Sequence, residues 1–134
     1  MNKAMISGML PEALKQAANL LKGERLPKGT NGKIAAFGPG VLLSGLKPTV
    51  ALYSASGSET NRRPVANAIF AIARKYLPGE DLLDSVKDLN GTGLEDAREY
   101  ILSACVALKL AARTFKEEED GDAAGTDLTY KEGS

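Results

Sequence analysis

Along most of this chain apolar residues return every third or fourth position, which stacks them on one side of an α-helix rather than on alternate faces of a strand. The spacing predicts a first helix over 10–22, with Leu10, Leu14, Ala17, Ala18 and Leu21 inward and Lys15, Gln16 and Asn19 outward. Pro11 suits a first helical turn, where its missing N–H costs no bond, and Glu12 suits the positive end of the helix. Gly23 ends the pattern, and a polar linker over 24–32 follows.

A second helix is predicted over 33–44, burying Ile34, Phe37, Val41 and either Leu42 or Leu43. Inside it lies Gly38-Pro39-Gly40. A mid-helix proline removes one hydrogen bond and crowds the carbonyl four residues back, so a kink or two short helices are expected. Gly45 stops this element and Pro48 opens a third over 48–55. Beyond a polar turn at 57–61, a fourth helix over 62–77 carries Val65, Ala66, Ile69, Phe70, Ala73, Tyr76 and Leu77 as its buried stripe, and Pro78-Gly79 terminates it. A short fifth helix over 80–89 turns Leu82, Leu83, Val86 and Leu89 inward.

The last helix has the strongest pattern. Thr92-Gly93-Leu94-Glu95 has the form of a capping box, in which the hydroxyl and the carboxylate each take a free backbone N–H. Leu94, Ala97, Ile101, Ala104, Leu108, Ala112 and Phe115 then hold helical register to Lys116, roughly 34 Å at 1.5 Å per residue. Its middle is apolar nearly all round, as in a helix packed on several sides. The pattern predicts an all-α fold, a compact bundle of about six helices around a long, central C-terminal helix, in one domain over 1–116. Residues 117–134 are acidic, Gly-rich and poor in large apolar side chains, and are expected to be a disordered tail.

Composition narrows the function. The 134 residues suit a single core, and at 5% aromatics with no Trp there is little on which to stack bases. No leader-like or membrane-spanning apolar run is visible, and the lone Cys105 has no internal disulfide partner, so a cytoplasmic protein without membrane contact is expected. The zero net charge hides an asymmetry: residues 1–75 carry eleven Lys/Arg against three Glu, and residues 76–134 carry six against fourteen Asp/Glu. A split of +8 and −8 is a hint of a polyanionic partner.

Catalytic chemistry is scarce. There is no His, the commonest general base and metal ligand. Cys105 lies in the most apolar stretch, as an inert packed thiol does. Gly29-Thr30-Asn31-Gly32-Lys33-Ile34 resembles a phosphate loop only superficially, because Pro27 and Ile34 stand where a Gly and a Ser/Thr are required. Glu80, Asp81, Asp84 and Asp88 share one short helix and suit a solvated face better than a metal site, whose ligands normally come from several elements. No enzyme activity, metal or cofactor is expected.

Basic residues fall in two helical stripes. Arg63, Asn67 and Arg74 share a face of the fourth helix with Arg62 beside it, and Arg98, Lys109, Arg113 and Lys116 align on the last. Arg113 also suits a helix C-terminus and a pairing with Glu117. Arg62 and Arg63 sit at a helix N-terminus, where cations are unfavourable, so another interaction is expected to offset them. Lys109 has apolar neighbours, and either snorkels or meets a partner. Cations without interleaved aromatics fit contact with a phosphate backbone rather than reading of bases.

Asn31-Gly32-Lys33-Ile34-Ala35-Ala36-Phe37-Gly38, followed by Val41-Leu42-Leu43-Ser44-Gly45-Leu46-Lys47-Pro48-Thr49-Val50-Ala51-Leu52-Tyr53, resembles the small subunit of type III-B CRISPR (Cmr) complexes. Arg62-Arg63 resembles that family's basic pair before a helix, and Ala107-Leu108-Lys109-Leu110-Ala111-Ala112-Arg113-Thr114-Phe115 its C-terminal helix. The likeness runs over 11–116, and Pro39 departs from it. The resemblance implies a helical bundle without an active site. It also implies that copies stack into an inner filament beside RAMP-fold backbone subunits and a polymerase-like large subunit, along the groove that holds guide RNA and target RNA. Carried over by position, Lys33, Lys47, Arg62, Arg63, Lys109 and Arg113 are the implied RNA-facing residues. The alternative is a helical protein-interaction adaptor whose positive charge is incidental.

Overall fold

Asn2 sets where the first helix begins. In the computed structural model, which describes residues 2–55 and 61–119, the Asn2 side chain accepts a hydrogen bond from the Met5 N–H at 3.0 Å, and α1 runs over Lys3–Asn19. The helix thus starts well before the expected residue 10, and Pro11 lies in its interior. Its buried stripe is Met9, Ala13 and Ala17, an i, i+4, i+8 series, whereas Leu14, expected inward, is 43% exposed.

After α1 come α2 (Thr30–Ser44), α3 (Leu46–Ser54), α4 (Arg62–Ala73) with a 3₁₀ turn at Arg74–Tyr76, α5 (Leu82–Val86) and α6 (Gly91–Ala112). The all-α expectation holds: the described residues form a six-helix bundle with almost no strand. α6 is the longest element, about 33 Å by its rise, and α1, α2 and α4 pack against it. Both α1 and α6 bury alanines: Ala13 and Ala17 on one, Ala97, Ala104, Ala107, Ala111 and Ala112 on the other. Such small side chains let two helix axes approach closely. α4 adds Val65, Ala66, Ile69, Phe70 and Ala73 to the core and packs against α1, α3 and α5 as well.

Proline 39 does not divide α2. The helix continues to Ser44, where Gly45 (φ 96°) ends it by donating its N–H to the Val41 carbonyl at 2.9 Å. Pro39 and Ala35, whose carbonyl loses its helical partner, both face solvent, so water can replace the missing bond. Thr30, Ile34, Phe37 and Val41 are the buried arc, and both Leu42 (68% exposed) and Leu43 (88%) turn outward, against the expectation that one would be buried. α5 is shorter than expected, with Leu83 exposed. α6 opens one residue before Thr92, which therefore lies inside the helix, and the expected capping box is not formed: the cap position is Asn90, without a side-chain bond.

The sequence pattern does not predict a clasp that joins the linker to the end of the bundle. Arg25–Leu26 pairs in parallel with Lys116–Glu117, and the Glu118 N–H donates to the Leu26 carbonyl at 2.7 Å. Leu26 is fully buried beneath it. Glu117, expected to start the tail, is thereby held against the fold, and its Oε1 accepts the Asn31 N–H at 2.7 Å in the first turn of α2. Residues 57–60 of the expected turn and 120–134 of the expected tail lie outside the described residues. Among the described residues, no helix is long and apolar enough to cross a membrane.

Candidate nucleic-acid interface

Tyr53 builds the wall on which the site rests. Val50 and Tyr53 point from α3 into the core, where the Tyr53 ring meets Phe37 edge-on with centroids 5.1 Å apart. Its hydroxyl donates to the Lys33 carbonyl at 2.6 Å and so fixes α3 against the first turns of α2. Burial raises the Tyr53 hydroxyl above its ordinary pKa and Cys105 adds to this, while the positive charge of Arg62 pulls the other way.

Between these helices lies an open groove of about 370 Å³. Lys33, Ala36, Gly40 and Ser44 line it from α2, an i, i+3, i+7, i+11 series on one helical face roughly 16 Å long. Thr49, Leu52 and Tyr53 line it from α3, and Arg62 enters from the start of α4. Two cations separated by 29 positions in the chain therefore share one cleft. Both belong to the first turns of their helices, where the backbone dipole adds positive potential. The Glu117 carboxylate at the start of α2 offsets part of it. Asn61, just before α4, donates its side-chain amide to the Lys28 carbonyl and ties this end of α4 to the loop before α2. The two helix starts are thus held in one neighbourhood.

The other expected cations are distributed differently. Lys109 is exposed and lines a second groove, together with Arg98, on the opposite side of α2. Lys47 is half-buried near the start of α3, and Arg63 and Arg113 are exposed; none of the three lines either groove. The Arg63, Asn67 and Arg74 stripe is a solvent face of the α4 segment, with the Arg74 guanidinium 5.1 Å from the Phe70 ring centre. The sequence reading missed Tyr53, Thr49 and Ser44 as groove residues. They lie within the segment 31–53, and nothing in its apolar spacing marks them as groove residues.

The acidic helix is structural. Asp81 caps α5 by accepting the Asp84 N–H at 2.7 Å, and Asp84 accepts the Glu80 N–H at 3.0 Å while pairing with Lys87 at 3.0 Å. The bond to Lys87 holds the Asp84 carboxyl below its ordinary range, and the Glu80 N–H lowers it further. Among the described residues no group of three or more His, Cys, Asp or Glu is placed to hold a metal ion. Cys105 is buried, its Sγ 3.5 Å from the Ile34 carbonyl, and burial pushes its thiol up to about 11. A thiol so placed is protonated at neutral pH and is a poor nucleophile.

Comparison of the chain with protein-family models, with curated proteins and with solved structures finds no match.

Proposed function

We propose that this chain is a non-catalytic subunit of an RNA-guided assembly, of the type III-B CRISPR small-subunit kind, and that it contacts the guide or target RNA backbone through the Lys33–Arg62 groove. The observation that carries this reading is the convergence of two cations, at the first turns of two helices, in one open cleft. Such a site attracts phosphates and offers no aromatic platform or base-edge fork, so its binding is weak in the isolated chain, tolerant of sequence and steeply dependent on salt. RAMP-fold and polymerase-like subunits are the proposed neighbours, and catalysis belongs to them.

The test is the affinity of a labelled single-stranded RNA, and of an RNA duplex, for the wild-type chain and for Lys33→Glu with Arg62→Glu. The double variant is expected to lose at least about tenfold at 50 mM salt and to flatten the log–log salt slope by about two. Unchanged affinity and slope in a folded double variant would exclude the groove. Lys109→Glu and Arg113→Glu, which lie outside it, are the controls.

A further inference from the structure

We propose that the groove between α2 and α6 docks an apolar helix of a partner protein that carries an acidic residue at each end of its apolar stripe. The groove measures about 420 Å³ and lies on the face of α2 opposite the cationic cleft. Ala35, Gly38, Pro39 and Leu42 line it from α2, and Leu102 and Val106 from α6. Leu42 is 68% exposed, a large apolar side chain at the mouth of an apolar channel. Ala35 and Gly38 leave room for another helix to approach.

Charge complementarity selects the occupant. Arg98 and Lys109 also line this groove; eleven residues apart on α6, they fall on one helical face about 16 Å from each other by rise. Leu102, Cys105 and Val106 lie between them, so the face is cation, apolar, cation. One carboxylate lines it too, Glu99, which accepts from the Ser103 hydroxyl at 3.5 Å. A nucleic-acid strand fits this groove poorly, because Leu42, Leu102 and Val106 offer no donor to a phosphate. An amphipathic helix with carboxylates eleven residues apart and leucines on the same face between them matches both the spacing and the apolar lining. This surface does not depend on the RNA reading, since it uses a different face of α2 and different cations.

The probe is a synthetic amphipathic peptide with Glu at two positions eleven residues apart and Leu on the same face between them, beside a control with Lys at those two positions. Binding to the full chain is followed by affinity and by amide exchange over 34–42 and 98–109. The Glu peptide is expected to bind on the order of 10–100 μM and to slow exchange in both segments. Arg98→Glu with Lys109→Glu is expected to weaken it at least tenfold and to make the Lys peptide the preferred ligand. Leu42→Asp, at a position already mostly in water, leaves the helical circular dichroism unchanged and abolishes binding of either peptide. Equal binding of both peptides to the wild type, or none up to about 1 mM, overturns the proposal. So does a gain in peptide binding when residues 120–134 are removed, which means that segment already covers the groove, or exchange protection in the peptide-free chain that rises with concentration, which means a second copy does.

Discussion

The Oε1 atom of Glu117 accepts the backbone N–H of Asn31 at 2.7 Å, across 86 positions of the chain. α2 begins at a Gly29 cap with φ 89°, and glycine has no side chain to satisfy the free N–H groups of a first turn. A carboxylate from the far end of the bundle supplies that acceptor and also meets the positive end of the helix dipole. Glu117→Ala is therefore expected to lower stability by about 1 kcal/mol, and Glu117→Gln, which keeps an acceptor but not the charge, by less. Urea unfolding of both variants checks this; equal midpoints with wild type would show that the contact contributes nothing.

Pro39 breaks one rung of α2 at a solvent-facing position. Pro39→Ala restores the N–H and relieves the crowding of the preceding turn, and is expected to raise stability by about 1–3 kcal/mol. Thermal unfolding reads it directly, and a lowered midpoint would mean that the proline is needed where it stands.

Removing the Tyr53 hydroxyl with Tyr53→Phe keeps the edge-on contact with Phe37 and deletes the bond to the Lys33 carbonyl. The expected loss is about 1 kcal/mol. The same variant is expected to weaken RNA binding through the groove it walls, without changing the salt slope, because no charge is lost. A changed slope would contradict that division of labour.

Cys105 links stability to alkaline pH. Its folded value near 11 lies above the ordinary 9.0, so between these values the native state holds a proton that the unfolded state has released. The contribution is complete below pH 9 and is lost as pH rises toward 11, on the order of 2 kcal/mol. Comparison of wild type with Cys105→Ala over that range isolates it, and parallel stability curves would refute it. In native protein the thiol is expected to react with a disulfide reagent far more slowly than in urea.

Much of the fold was legible where one helix carries its own instructions. On α4, Val65, Ala66, Ile69, Phe70 and Ala73 are buried while Asn67 faces solvent, as helical spacing dictates. α1 was read short because Gly8 and Pro11 both punctuate it, and because Asn2, which caps it, stands outside the apolar pattern. Helical spacing from Leu10 predicts Leu14 inward, but the buried stripe runs through Ala13, one position away, and a hydropathy pattern carries no information about gap width. The clasp and the Glu117 cap join distant segments through backbone groups and one carboxylate, which leave no periodic trace. The groove shows the same division: Lys33 and Arg62 were each marked as candidates, but only the return of α3 along α2 brings them into one cleft, while Lys47, Arg63, Lys109 and Arg113 are elsewhere.

The alanine seam between α1 and α6 reverses the usual direction of mutational harm. In most cores the damaging changes are truncations that leave holes. Here Ala13, Ala17, Ala104 and Ala107 are fully buried and have no side chain worth deleting. Growth is what the seam absorbs poorly: added methyl groups force side chains off their rotamers and shift the backbone, at a cost of about 1–3 kcal/mol. Substitutions at these sites are therefore expected to be tolerated only for Gly, Ala and Ser.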